Sequence, residues 1–342
     1  MNKSMLGVID ATTHPEAMGD LLNHRSLAAL PFAGRYRLID FILSNMVNSG
    51  IQSVAIFPKS QYRSLMDHLG SGKNWDLDRK RDGLFFFPSP NVDHEEEEIG
   101  AFSHFAHHLD YFYRSKQTYA LISNCYTVFN MDFSPILERL ESHECDILEI
   151  CNQGKPVDMY VVPVSLLIDF VTNRKETGYT SMRDIVNDDS HMYNVCRYEC
   201  SGYCEQIQST TDLYRTSMEL LKKENWSQLF NKFQPVYTKV KDEPPTKYTN
   251  RSAVRNSMIA NGARIEGEIT DSIISRAVRV GENTEIKRSI IMQKSQVGRN
   301  CLLEHVIIDK DVIIGDGVTL RGTPDEPIVI RKGSIQGALM NS

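Results

Sequence analysis

Apolar positions recur along this chain in two different rhythms. Up to about residue 235, short β-type runs (VAIF at 54–57, YALIS at 119–123, DILEI at 146–150 and YVVPV at 160–164) alternate with stretches of helical periodicity at 38–49 and 133–142. Strand-sized apolar runs separated by helical segments predict an α/β domain. In the C-terminal third the spacing tightens. Three stretches align without gaps: DSIISRAVRVGENTEIK (271–287), RSIIMQKSQVGRNCLLE (288–304) and HVIIDKDVIIGDGVTLR (305–321). The repeat is 17 residues long, and a shortened copy, NSMIANGARIEGEIT (256–270), precedes it.

The repeats stack three aliphatic columns: Ile274, Ile291 and Ile308; Val280, Val297 and Ile314; Ile286, Leu303 and Leu320. One aliphatic side chain about every six residues suits a triangular coil whose three faces each send a residue to a central stack. A left-handed parallel β-helix of about four coils is therefore predicted, since a single coil cannot bury its own aliphatics. A β-sandwich of short strands is the alternative, but it gives no reason for strict register over three repeats. The Lys-rich segment 238–248, with Pro244 and Pro245, reads as a connector between an α/β domain at 1–237 and a β-helix at 249–342.

A chain of 342 residues has room for two domains of roughly 150 residues each, and 41% apolar residues can fill their cores. The net charge of −6, from 38 basic and 44 acidic residues, offers no footprint for a phosphate backbone, so no nucleic-acid partner is expected. No run of about 18 apolar residues occurs and the N-terminal apolar run is short, so neither a membrane span nor a signal peptide is expected, and the location expected is cytoplasmic. Seven cysteines, an odd number without paired spacing, predict reduced thiols rather than a disulfide framework. Cys196, Cys200 and Cys204 recur every four residues, which on a strand places all three on one face; zinc sites favour closer pairs.

The stretch LPFAGRYRLIDFILSNMVNSGIQSVAIF (30–57) closely resembles the strand-loop-helix signature of the ADP-glucose pyrophosphorylase (glucose-1-phosphate adenylyltransferase) family. A second stretch, GYCEQIQSTTDLYRTSMELL (202–221), resembles that family's GYWRDVGT segment and the helix after it. Together with the β-helix, the resemblance covers most of the chain. It implies an α/β nucleotidyltransferase (Rossmann-like) domain followed by a C-terminal left-handed parallel β-helix. The activity it implies joins ATP and glucose 1-phosphate into ADP-glucose and pyrophosphate, the committed step toward glycogen.

Such chemistry needs a Gly-rich loop whose N–H groups reach the triphosphate, a basic residue, and carboxylates to hold Mg²⁺. The family's loop, GGxGxRL, should follow the first strand. Here Leu6-Gly7-Val8 runs into Ile9-Asp10-Ala11-Thr12-Thr13-His14-Pro15, without the glycines or the arginine. Alignment puts Cys125 at the family's first metal aspartate, or Tyr126 if the local gap shifts by one, and Gln206 at the second. Glu205 is one residue off, which on a strand points it to the opposite face. None of Cys, Tyr or Gln is a hard anionic ligand for Mg²⁺. Losing the ion forfeits several kcal/mol of transition-state stabilisation, at least about two or three decades of rate.

The resemblance therefore implies no catalytic residue and no cofactor on this chain, with Mg²⁺ expected only in a catalytic partner. The family's D-type regulatory subunits depart from its motifs in the same manner. On that basis the chain is expected to join a homologous catalytic subunit in a mixed tetramer and to form homo-oligomers alone. The competing reading is an active nucleotidyltransferase in which Glu205, Asp132 or Asp10 replaces the lost ligands. A third is a hexapeptide acyltransferase, which uses the same β-helix with a catalytic His; His305 is the one His of the repeats and shares its column with Asp271 and Arg288.

His24 and Arg25 stand where family members carry basic residues associated with anionic effectors, so a sugar-phosphate or phosphate effector is expected there, against the alternative of an ordinary surface Arg. The acidic run His94-Glu95-Glu96-Glu97-Glu98 reads as a solvated loop, and His104 and His108 share a face if 104–108 is one helix. Gly100-Ala101-Phe102-Ser103-His104 stands where the family has GTADA, without its aspartate. Finally, the 146–150 strand passes through Cys151-Asn152-Gln153-Gly154-Lys155-Pro156 almost directly into 159–163. Either the family's extra strands, with an FVEKP-like segment, are lacking there, or a loop is missing from the sequence.

Overall fold

Apolar runs without alternation must be buried on both faces, and the sheet they build provides that. The structure, a computed structural model, describes residues 4–88, 101–142, 145–190 and 192–337. Seven strands lie side by side in the order Val195–Glu199, Ile147–Asn152, Lys155–Pro163, Tyr119–Asn124, Met5–Ala11, Ser53–Pro58, Gly83–Phe86. Only Lys155–Pro163 runs against its neighbours. In the central strand Met5 and Ile9 join one core layer, while Leu6 and Val8 join the layer on the other face. That is the two-residue period of a strand covered twice.

Ile147–Asn152 and Lys155–Pro163 are joined directly as a hairpin. Gln153 and Gly154, with φ of 50° and 73°, close it as a tight two-residue turn. Positive φ at both central residues matches the right-handed strand twist. No strand lies between these two.

Two cysteine expectations are corrected. Cys145 and Cys196 form a disulfide, with Cα atoms 5.8 Å apart. The parallel pairing of Val195 with Ile147 brings Cys145, two residues before one strand, beside the start of the other, and 51 residues of sequence separation conceal this. Nor do Cys196, Cys200 and Cys204 share one strand. Cys200 follows the Val195–Glu199 strand, and Cys204 opens Cys204–Gln206, which pairs antiparallel with Thr127–Phe129.

Residues 247–337 wind into three parallel sheets of six, five and five strands, a left-handed parallel β-helix. Its first strand, Lys247–Tyr248, pairs with Arg264–Ile265 inside the expected connector, and the coils number five rather than four, followed by a last strand Ile335–Gln336. The predicted columns stack as neighbours: Ile274 with Ile291 and Ile308, Val280 with Val297 and Ile314, Ile286 with Leu303 and Leu320. The recurring glycine has a steric cause, because a Cβ on Gly281 would meet the Gly298 carbonyl oxygen of the next coil at 2.7 Å.

The β-helix docks its flank on the α/β domain, where Ile290, Met292 and Ile307 join the larger core. Polar contacts fix the docking. On helix Thr210–Glu219, whose N-terminus Ser209 caps, Tyr214 Oη donates to the Arg288 carbonyl at 2.8 Å and meets His305 Nδ1 at 2.6 Å. Arg288 Nε donates to His305 Nε2 at 3.1 Å. With Nε2 accepting and the phenol proton already given to a carbonyl, Nδ1 must carry the imidazole proton.

Candidate functional site

Ligands of open α/β sheets bind beyond the carboxyl ends of the strands, and a cavity of about 350 Å³ lies there, lined by Asp10, Asn124, Tyr126, Asp158, Tyr160 and Arg183 among others. Asp10 ends the central strand. Its carboxylate accepts from the Thr12 backbone N–H at 2.9 Å and hydroxyl at 2.7 Å, so a side chain closes the turn where a phosphate-binding loop would present free N–H groups. Burial pushes the Asp10 carboxyl up, despite those hydrogen bonds.

Asp158 is the hub of the cavity. It lies on the reversed strand with φ of 55°, a left-handed conformation that costs energy in a non-glycine residue. Asn124 Nδ2 holds the backbone by donating to the carbonyls of Val157 and Asp158 at 2.8 and 3.3 Å. The Asp158 carboxylate then receives Tyr126 Oη at 3.0 Å, Arg183 Nε at 3.0 Å with a second guanidinium nitrogen, Tyr160 Oη at 3.4 Å and Gln206 Nε2 at 3.4 Å. The Tyr126 and Tyr160 phenols are pushed up by burial and by the Asp158 charge. The hydrogen bond to Asp158 pushes the Arg183 guanidinium up as well.

The structure thus gathers on Asp158 one residue at the second metal-aspartate position, Gln206, and one beside the first, Tyr126. Tyr126 reaches the cavity, whereas Cys125 is 1% exposed and turned into the core, where burial pushes its thiol up. Gln206 reaches Asp158 from the Cys204–Gln206 strand. The cage has the reverse polarity of a Mg²⁺ site: donors surround a carboxylate, and a guanidinium supplies the positive charge. These residues do not fit the ion, which needs several anionic or neutral oxygens converging on it. No family motif in the sequence marks Asp158; its place on the reversed strand brings it into the cavity.

The other carboxylates proposed as substitutes lie elsewhere. Glu205 is paired with Arg215 at 3.6 Å, and Asp132 accepts from the Ser134 N–H at 2.9 Å and hydroxyl at 2.8 Å. The His104 and His108 pairing on one helix does not form. Helix Ala101–Ala106 ends before His108, which begins the helix Leu109–Arg114 and stacks near Phe57 and Phe87. Among the described residues no group of three or more His, Cys, Asp or Glu side chains could hold a metal ion. The acidic run at 94–98 and Gly100 lie outside the described residues.

A second cleft opens between the domains. It holds about 120 Å³ and is lined by Arg35, Arg37, Lys241, Arg276, Lys294 and Lys310, with His68, Glu243 and Asp311 also at its wall. Burial, and then mutual repulsion, loosens protons there: Arg37 falls to about 10 and Lys310 to about 7, the latter pressed by Arg37 and Arg25. Lys241 and Arg276 fall for the same reasons. His24 is exposed, and Arg25 is 2% exposed behind this cleft, with one guanidinium nitrogen 2.8 and 2.9 Å from the two Asp309 oxygens and the other without a partner. A phosphate would reach the cleft lysines and arginines before it reached Arg25. One signal for this cluster was present in the sequence: Arg276, Gln293 and Lys310 are spaced by the 17-residue repeat, so they form one column.

Comparison with known proteins places both halves. Residues 20–159 match the nucleotidyl transferase family model, and residues 244–326 match that of the GlmU-like C-terminal hexapeptide. The chain is 54% identical over 341 residues to the "Glycogen biosynthesis protein GlgD" of Bacillus subtilis, covering all of this chain and 99% of that protein. It is 55% identical over 342 residues to the protein of the same name from Geobacillus stearothermophilus, end to end in both. A glucose-1-phosphate adenylyltransferase of Bacillus cereus is 26% identical over 348 residues, covering 89% of this chain and 92% of that enzyme. Among the described residues no helix is long and apolar enough to cross a membrane.

Proposed function

The chain belongs to the family of the glycogen biosynthesis protein GlgD, related to glucose-1-phosphate adenylyltransferase, and on that premise we propose that it is a catalytically deficient regulatory subunit in ADP-glucose formation for glycogen synthesis. The observation that carries this reading is the Asp158 cage, in which the residues at or beside both metal-aspartate positions donate to one carboxylate. Neither Mg²⁺ nor another cofactor is assigned to this chain; the ion belongs with a homologous catalytic subunit in a mixed tetramer. Alone, the chain forms homo-oligomers, and its place of action is the cytoplasm. The interdomain cleft supplies the regulatory input. Six basic side chains around a small space suit a phosphate or sugar-phosphate effector, and a ligand bridging the α/β domain and the β-helix acts on their relative placement.

The acyltransferase reading finds no support, because both His305 ring nitrogens are engaged by Tyr214 and Arg288. The test of the main reading has two arms. The isolated chain with Mg²⁺, ATP and glucose 1-phosphate is expected to form no ADP-glucose above background, and robust metal-dependent turnover would defeat the proposal. Mixed with a catalytic homologue, it should co-elute as a larger complex and shift that partner's activity at subsaturating substrate roughly 5- to 150-fold, the range of a 1–3 kcal/mol coupling. A partner whose size and kinetics are unchanged across phosphate and sugar-phosphate concentrations rules out the regulatory role.

A further inference from the structure

Away from both clefts, the edge of the seven-stranded sheet gathers three free thiols, those of Cys151, Cys200 and Cys204. Cys200 follows the edge strand, and its N–H donates to the Cys151 carbonyl at 2.8 Å. Ser201 and Gly202 then turn the chain back in the open, Gly202 with φ of 100°, so that Cys204 enters the next strand opposite Phe129. The turn brings the Cys200 and Cys204 side chains into hydrogen-bond contact. Asn152 braces it, its amide nitrogen lying 3.5 Å from Cys200 Sγ, 3.3 Å from the Cys200 carbonyl and 3.4 Å from that of Gly202.

We propose that Cys200 and Cys204 form a reversible thiol–disulfide site, in which Cys200 is the attacking sulfur and Cys204 the resolving one. The two side chains already interact across a C-x₃-C turn whose corner is open, so joining them calls on no distant segment of the chain. They are also unequal. Hydrogen bonds from Cys204 and Asn152 favour the Cys200 thiolate and bring that thiol down to about 7, against the opposing effect of burial and Glu199. The Cys204 thiol moves up, because its proton is held in the hydrogen bond to Cys200 and its surroundings are apolar. Cys151, the third thiol, is 1% exposed and pushed up to about 11 by burial and Glu149, so it stands behind the pair as a spectator.

The oxidant is a low-molecular-weight disulfide. Cys200 Sγ attacks one of its sulfurs, a Cys200 mixed disulfide forms, and one small thiolate departs. Cys204 then gives up its proton, attacks Cys200 Sγ and expels the second small thiolate, which is protonated. The protein dithiol loses two electrons and the small disulfide gains them. The cross-link would sit two residues from Gln206, at the rim of the Asp158 cage.

The test uses the full-length protein equilibrated in glutathione buffers of graded redox poise, then alkylated and mapped by mass spectrometry. A Cys200–Cys204 disulfide is expected to appear as the fraction of glutathione disulfide rises and to vanish with dithiothreitol. In Cys204→Ser a glutathione adduct should accumulate on Cys200, while in Cys200→Ser little should form on Cys204. At pH 7, Cys200 of the reduced wild type should alkylate several times faster, roughly sixfold, than a thiol of ordinary pKa in a peptide of the same turn, thiolate gain being offset in part by lower nucleophilicity. The wild-type map decides even if a variant folds poorly. If both thiols stay alkylatable across the series in protein with native circular dichroism, or if glutathione settles on Cys151 or Cys204 instead, the proposal is overturned.

Discussion

The Asp158 carboxylate shows how one side chain can hold a cleft together. Its backbone sits at φ 55°, its charge is matched by Arg183, and two phenols and an amide complete the shell. The contributions of these partners are unequal. Arg183 is 59% exposed in this pair, so solvent screens its attraction and Arg183→Ala should cost no more than about 1 kcal/mol. Asp158→Ala removes the shared acceptor and leaves two largely buried hydroxyls unsatisfied, at about 1–3 kcal/mol each if nothing relaxes. Urea unfolding followed by circular dichroism should therefore rank Asp158→Ala well below Arg183→Ala in stability. Equal midpoints for the two variants would mean that the hub is the guanidinium and not the carboxylate.

At the scale of elements, the β-helix owes its stability to neighbours above and below each aliphatic residue. Ile291 lies between Ile274 and Ile308 with no exposure, whereas Ile330 belongs to the last strand of its sheet and is 7% exposed. Truncating a buried Ile to Ala costs about 2–5 kcal/mol, and the cost depends on how far the site can relax. Ile291→Ala should fall near the top of that range and Ile330→Ala near or below its bottom. Thermal or urea midpoints for the two variants check this, and a larger loss at Ile330 would locate the stability of the solenoid in its end coil.

For the whole molecule the decisive region is the cationic cleft, because α/β domain, connector and β-helix all contribute to it. Lys310 has an ordinary value of 10.5 and drops to about 7 in the folded chain. Between those values the unfolded chain holds a proton that the folded one has released. Stability from this group therefore rises with pH across that window, and below about 7 the full cost of burying the ammonium is present. An anion in the cleft reverses the sign by stabilising the charged form. Binding of inorganic phosphate near pH 8 to 9 should be accompanied by proton uptake, seen in calorimetry as a heat that depends on the buffer's ionisation enthalpy. Uptake should shrink as pH falls below 7 and should largely disappear in Lys310→Met, which should also bind phosphate more weakly. Tight binding without proton uptake at pH 8 to 9 would place the phosphate away from Lys310.

Parts of the molecule whose causes are local or periodic can be read from the residues alone. The 17-residue spacing of Ile274, Ile291 and Ile308 dictates stacked coils, since no other arrangement buries all three columns in register. The segment at 30–57 and the missing glycines after the first strand were legible in the same way, because a phosphate loop is a contiguous run of residues. Whatever depends on contacts between distant strands emerges only in the folded chain. Tyr126 rather than Cys125 faces the cleft, and Asp158 becomes its hub through strand pairing. The Cys145–Cys196 disulfide follows from parallel pairing across 51 residues. The place of Arg25 in the chain suggests an effector contact; the fold seats it on Asp309, 284 residues away, and gives the open cleft to six other basic side chains. Side-chain chemistry is written in the sequence, but which charges meet is fixed by topology, because Coulomb and hydrogen-bond energies fall off over a few ångströms and not over residues in a chain.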